Sequence, residues 1–401
     1  MGERVLIVGA GPVGLVAAAN LVHRGVPVTV FEAGATLSEE SRASTFHPPT
    51  LDMLNSFGVT APLIAQGLKA PRFQFRSKKH GLLAEFDFSA IADSTRNPYR
   101  VQCEQSKLTR ILLDQLSSQP NFQIEFGSAV QDVTQDSNSI EIAIQRNGRT
   151  ESRRGRWLIG ADGARSDVRR SLGIAFEGFT WPDRFLVVST PFDLGQVIPG
   201  LVEVCYVADP QRWHFLLQIP GLCRVMFPIA QHESDELALN PAFAQSLMAT
   251  IVPGLSTYEI AHVTLYRVHQ RVAKTFALGR TFLIGDAAHI NNPLGGMGMN
   301  GGIHDAINLT ERLADVWHGQ GGAAGLERFD LQRRLVTLEY IETQSIQNKR
   351  NLESDGEDFG EALRNIAADS GRTYDYLLRV SMIASLRRAK ELGDGINSDC
   401  A

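Results

Sequence analysis

The stretch VLIVGAGPVGLVAAANLV, residues 5–22, decides how the chain is read. Val5–Val8 is a β-branched-rich run of strand length, and Val13–Arg24 has helical length and an apolar face. Gly25 closes that helix, and Val28–Phe31 forms the next strand, ending at Glu32. The order is strand, glycine turn, helix, strand. Gly9-Ala10-Gly11-Pro12-Val13-Gly14 fits GxGxxG in its full structural context, with Glu32 eighteen residues past Gly14. Gly9 permits the tight turn, Gly11 lets a pyrophosphate approach the backbone, and Gly14 lets the helix pack closely on the sheet. Helix N–H groups and the macrodipole then favour phosphate charge. Glu32 is placed to accept hydrogen bonds from ribose hydroxyls. These features alone do not separate FAD from NAD, and a glycine-rich turn without a ligand is the plain alternative.

The same run invites a targeting or membrane reading, which its details oppose. The charges before it are mixed (Glu3, Arg4), and Gly9, Gly11, Pro12 and Gly14 interrupt any spanning helix. A soluble, cytoplasmic protein is expected. The chain has 401 residues, 43% hydrophobic, enough for two or three domains with a substantial core. A net charge of −5, from 39 basic and 44 acidic residues, leaves no basic footprint for nucleic acid. Cys103, Cys205, Cys223 and Cys400 are scattered without a CxxC pair, which suits a reducing compartment. Ten histidines form no HExxH or Cys/His ligand spacing, so no metal is expected.

Downstream, strands are expected at Phe122–Phe126, Ile140–Ile144 and Arg156–Ile159. A strand-rich middle follows at Phe185–Ser189, Val202–Val207, Trp213–Ile219 and Arg224–Ile229. Its alternation and its turns predict an antiparallel sheet with one solvated face. Thr281–Ile284 is another buried strand, and helices dominate after Gly302. The fold class is α/β: a Rossmann-type dinucleotide domain interleaved with an antiparallel-sheet substrate domain, followed by C-terminal helices. The expected division gives 1–72, 98–178 and 271–335 to the first, 73–97 and 179–270 to the second, and 336–401 to a helical extension.

Two further motifs sharpen this. Gly160-Ala161-Asp162-Gly163-Ala164-Arg165-Ser166 follows a strand, and Gly285 to Asn300 reads GDAAHINNPLGGMGMN. With the first glycine turn, these resemble the three motifs of the single-component FAD-dependent aromatic hydroxylases, the para-hydroxybenzoate hydroxylase class. The resemblance covers most of residues 1–340, in family order and spacing. Tyr266–Arg271, and Arg42-Ala43 followed by Pro48-Pro49-Thr50, look most like the phenol and 4-nitrophenol monooxygenase branch.

The resemblance implies FAD as cofactor, NADH or NADPH as co-substrate, O2 and a flavin C4a-hydroperoxide that hydroxylates a small phenolic or hydroxylated N-heteroaromatic ring. It assigns cofactor contacts to Gly9, Gly11, Pro12, Gly14, Glu32, Arg42, Gln105, Asp162, Gly163, Asp286, Pro293, Gly296, Gly298, Met299 and Asn300. The glutamate that the family often places shortly after the glutamine matching Gln105 is absent here. Asp286, after a buried strand, sits where α/β sheets bind ligands, although it also suits a turn cap. His289 reads as a residue that hydrogen-bonds behind the cofactor. Tyr206, His214, Phe227 and Pro293 are candidate substrate contacts. For catalysis the candidates are His214, His47 and Arg224, because a neutral imidazole suits deprotonation of a phenol near pH 7. A Tyr or a water relay is the alternative base. The protein is expected to be a monomer or homodimer acting in aromatic compound catabolism. A reductase or dehydrogenase on the same fold, and a non-catalytic flavin redox sensor, are the competing functions.

Overall fold

The structure, a computed structural model, describes residues 3–39, 43–255 and 257–394. Its first sheet has six strands in the order 277–278, Thr281–Leu283, Trp157–Gly160, Val5–Val8, Val28–Phe31 and Phe122–Glu125. All but the first of these pair in parallel. Parallel strands are covered on both faces, so they need apolar side chains throughout. Val5–Val8, Val28–Phe31 and Trp157–Gly160 are accordingly buried at every position. The helix Pro12–His23 is apolar all round because it lies between this sheet and the long helix Met297–Trp317. Those two helices meet at Gly302, where a Cβ would come 2.7 Å from Val13 Cγ2. Asn20 Nδ2 donates to Thr310 Oγ1 across the same buried contact (2.7 Å).

The second sheet has eight strands and carries the middle of the chain. Its order is 289–290, His262–Ala273, Phe176–Thr190, Leu222–Ile229, His214–Ile219, Val204–Ala208, Arg72–Ser77 and Gly81–Asp87. Two expectations are corrected here. The sheet is not wholly antiparallel, since Val204–Ala208 pairs in parallel with Arg72–Ser77. Nor is one face solvated: the outer face packs Leu186, Val225, Phe227 and Leu216 against the helix Pro241–Ile251, closing a second core. The expected borders at 178/179 and 270/271 fall within the paired strands Phe176–Thr190 and His262–Ala273, which join the two halves. Two small sheets complete the β-structure. One is a meander over 129–155; the other unites Thr45–Phe46, Arg100–Gln102 and Leu68–Ala70.

Helices follow from Ala323 to Asp394, and residues 395–401 lie outside the described region. Leu377, Leu378, Val380 and Ile383 are buried in the same apolar cluster as Phe73, Phe86 and Tyr206, on the inner side of the eight-stranded sheet. No helix among the described residues is long and apolar enough to cross a membrane.

Candidate active site

Four adjacent parallel strands of the first sheet deliver the expected motifs to one edge. Val8 leads into the glycine turn, Phe31 into Glu32, Gly160 into Asp162, and Leu283 into Gly285-Asp286. Ligands of such sheets bind beyond the strands' carboxyl ends. Gly9 has φ +102°, and a Cβ there would collide with the Ala161 carbonyl; a Cβ on Gly14 would collide with the Gly9 carbonyl. Gly11 differs. It precedes Pro12 at the start of the helix, and a Cβ there would meet nothing within 4 Å. Glu32 braces the turn, its Oε2 accepting from Ala10 N and its Oε1 from Gly34 N, both at 2.8 Å. Asp162 Oδ2 accepts from Val168 N (3.1 Å), while its Oδ1 is buried without a hydrogen-bond partner among the described residues. Burial pushes that carboxyl above its usual range. Gly163, next to it, takes φ +77°.

Asp286 is exposed within the otherwise buried run Thr281–His289 and borders a cavity of about 960 Å³. Pro293, Gly296, Gly298 and Met299 border the same chamber. Gly295 (φ +100°) and Gly296 (φ +67°) bring the chain into the helix Met297–Trp317, whose first turn has no side-chain cap. Open N–H groups at a helix start favour negative charge.

The Asn300 assignment is corrected. Its side chain is fully buried behind the loop, with Nδ2 donating to Thr45 O (2.8 Å) and Gly296 O (2.7 Å). It holds the loop and does not border the chamber. His47 is corrected for the same reason. Its Nε2 donates to Gly295 O (2.8 Å), its backbone N–H donates to Asn300 Oδ1 (3.0 Å), and burial holds the imidazole well below its ordinary pKa. This residue fixes the glycine loop from behind and has no route to a ligand in the chamber.

Beneath Gly285-Asp286 lies a group that the motif spacing did not reveal. Asp305 Oδ2 accepts from Gly285 N (3.1 Å) and from His289 Nε2 (2.8 Å), and Oδ1 accepts from Arg333 Nε (2.7 Å). Burial alone would raise the Asp305 carboxyl, but His289 and Arg333 outweigh it and lower the pKa to about 2. His289 thus acts behind the loop. Asp305 and Arg333 sit 20 and 48 residues beyond Gly285, on two helices, and no short motif links them.

The eight-stranded sheet walls the other side. Side chains alternate faces along a strand, so parity decides each residue's fate. Tyr206 faces the chamber, stacked between Phe75 (5.1 Å) and Phe215 (4.7 Å). Arg224 and Met226 also face it. Arg224 Nη2 donates to Glu104 Oε1 (2.9 Å) and Nη1 to Ser44 Oγ (3.0 Å), clamping the sheet to the segment before Gln105. Gln105 starts the helix Gln105–Leu116 and donates its backbone N–H to Ala43 O (3.0 Å). Arg42 lies outside the described residues.

His214 and Phe227 are on the opposite face, and their expected substrate roles are corrected. Their rings approach each other at 5.9 Å, Phe227 within the outer core, and burial lowers the His214 pKa to about 4. Tyr266 was overlooked as a contact. It lines the chamber with its hydroxyl donating to Met226 Sδ (3.2 Å), and burial pushes its pKa up. The alternation Thr264, Tyr266, Val268 within Tyr266–Arg271 and its flank was the available signal.

The residues present fit FAD. Gly11 leaves room at a helix start, Asp162 Oδ1 is an acceptor without a partner, and one chamber extends from Asp286 to an aromatic wall. No group of three or more His, Cys, Asp or Glu able to hold a metal occurs among the described residues.

Comparison with known proteins agrees with this geometry. The chain matches the family described as FAD binding domain over residues 3–344. It is 33% identical to para-nitrophenol 4-monooxygenase of a Pseudomonas species over 347 residues, 84% of each chain. It is 34% identical to 6-hydroxy-3-succinoylpyridine 3-monooxygenase of Pseudomonas putida over 388 residues, 94% of this chain and 97% of that one. The crystal structure of p-nitrophenol 4-monooxygenase from Pseudomonas putida superposes with a TM-score of 0.89 at 29% identity, covering 96% of this chain and 98% of the other. The chain belongs to the FAD binding domain family.

Proposed function

We propose that this family member is an FAD-dependent monooxygenase that consumes NADH or NADPH and O2 to hydroxylate a small phenolic or hydroxylated N-heteroaromatic ring. The observation that carries the proposal is the shared chamber, which places Asp286 and the Pro293–Met299 loop opposite Tyr206 and Tyr266. The relatives named for a nitrophenol and a hydroxypyridine support the substrate class.

FAD, once reduced, supplies the activation of oxygen. This chain's residues do the rest. The turn at Gly11 receives the pyrophosphate, Glu32 and Asp286 hold hydroxyls, and the uncapped helix start at Met297 stabilises negative charge on the ring system. Leu217, Met226 and Val268 make the sheet side apolar and exclude water, which protects a reactive oxygen species from decay. The Tyr266 hydroxyl, held neutral at pH 7, is given only to a thioether and is free to exchange it for a stronger partner on the substrate. That leaves Tyr266, rather than a histidine, to position the substrate hydroxyl.

The cofactor and substrate domains follow the division stated above, with the enzyme a cytoplasmic monomer or homodimer. Buried, unpaired Cys103, Cys205 and Cys223 support the reducing compartment. The test is purification followed by a screen of phenols and hydroxypyridines for stimulated NAD(P)H oxidation, with O2 uptake and product mass measured. A yellow protein whose product gains one oxygen atom is expected. Failure to bind FAD overturns the proposal, and turnover without oxygen incorporation replaces it with the reductase reading.

A further inference from the structure

Among the described residues, one buried cation in the chamber has no counter-charge. Arg100 lies on the strand Arg100–Gln102, is 2% exposed, and lines the cavity. Its guanidinium rests over the rings of Phe73 (4.8 Å) and Phe88 (5.2 Å). Aromatic faces attract a cation but accept none of its five N–H bonds in the plane of the fork. The Nε is enclosed without an acceptor, and among the described residues no side-chain hydrogen bond or ion pair reaches Arg100. The other buried arginines contrast with it: Arg333 is paired with Asp305 and Arg224 with Glu104, and Arg169 donates to the carbonyls of Ala287 (2.8 Å) and Ala164 (2.9 Å).

Arginine cannot escape by losing its proton, and an unpaired buried charge is strongly unfavourable. The fold tolerates the penalty where a ligand removes it. Placement identifies which ligand. Phe73 and Phe88 belong to the apolar cluster of the sheet wall, together with chamber-lining Tyr206 and Phe215, and not to the glycine turns. A planar fork that is already stacked and immobilised matches a carboxylate by two parallel hydrogen bonds. Resting on the hydroxylase reading above, we propose that Arg100 anchors a carboxylate on the substrate, so that the preferred substrates are hydroxylated aromatic rings bearing a carboxylate substituent.

The test uses the FAD-loaded enzyme and matched pairs: 4-hydroxyphenylacetate with its amide, and 6-hydroxynicotinate with its amide. Dissociation constants come from flavin absorbance titration and KM from NAD(P)H oxidation. In the unmodified enzyme the acid of at least one pair should bind roughly 10- to 100-fold more tightly than its amide, the size expected of a charge-assisted bond. Arg100→Met should erase that difference with FAD affinity intact, and Arg100→Lys should retain part of it. If rings stimulate oxidation but acids and amides behave alike in the unmodified enzyme, the inference is overturned and the hydroxylase reading survives. Equal losses for acid and amide in Arg100→Met, or weakened FAD binding, also overturn it, the latter by making Arg100 a cofactor contact. Should no ring stimulate oxidation at all, both readings fall.

Discussion

On the cofactor side of the chamber, the decisive features are places where a side chain is missing or turned to backbone. Gly9, Gly11, Gly14, Gly295 and Gly296 shape it, and Glu32, His47 and Asn300 spend their side chains on N–H and carbonyl groups of those turns. On the sheet side, the decisive features are which of two buried faces a side chain occupies. Tyr206 and Tyr266 fall inside; His214 and Phe227, on neighbouring strands, fall outside. A turn tolerates few residue types at each position, whereas a buried face tolerates many. The two sides should therefore fail differently when altered, the first through geometry and the second through chemistry.

The largest expected effect is behind the cofactor loop, at Asp305→Asn. Removing the charge leaves Arg333 buried without a counter-ion, which should destabilise the fold by about 3–5 kcal/mol in denaturant titration. In the unaltered protein the carboxyl's pKa lies below its ordinary value. Its stabilisation is thus present above about pH 4 and is lost as pH falls toward 2. A loss under 1 kcal/mol would show that the loop does not depend on this pair.

Asp286→Ala should act on binding. It removes an exposed carboxylate from the chamber edge, so FAD affinity should fall about ten- to a hundredfold. Equal affinity by fluorescence titration would remove Asp286 from the cofactor contacts. The glycine turn offers a finer contrast. Gly14→Ala should cost the apoprotein about 1–3 kcal/mol because its Cβ has no room, while Gly11→Ala should fold normally and weaken FAD. If both variants lose stability equally, the open space at Gly11 is not the cofactor's.

Legibility in the sequence divides along the same line. The turn at Gly9–Gly14, Glu32, Asp162 and Asp286 could be found because each follows a strand end at a fixed offset. Strand parity could not be found. Val204–Ala208 is buried at every position, as is almost all of His214–Ile219, so no polar alternation marks the inner face. The expectation of a solvated face failed for that reason. Arg149–Gly155 went unnoticed because RTESRRG has no apolar signal. Arg100 reads as an ordinary surface charge until Phe73 and Phe88, 27 and 12 residues earlier, close over it. Asp305 and Arg333 likewise acquire meaning only when two helices meet.

The smallest expected effect on turnover is at His214, and it tests the sheet side directly. Against Tyr266→Phe, which should raise KM and divert NAD(P)H oxidation toward hydrogen peroxide, His214→Leu should keep hydroxylation coupling and KM within about twofold, as expected of a change outside the chamber. Its signature belongs to stability. Burial holds the imidazole's pKa near 4, below its ordinary 6.5. The unfolded chain therefore binds a proton that the folded one refuses, and stability falls as pH drops from about 6.5 to 4. Leucine takes up no proton in either state, so the variant's loss across that window should be shallower by up to one proton. Buried His47 and His304, both with lowered pKa, retain their own shares of the slope. Uncoupled turnover in His214→Leu with an unchanged acid slope would reverse the assignment of faces and return His214 to the substrate.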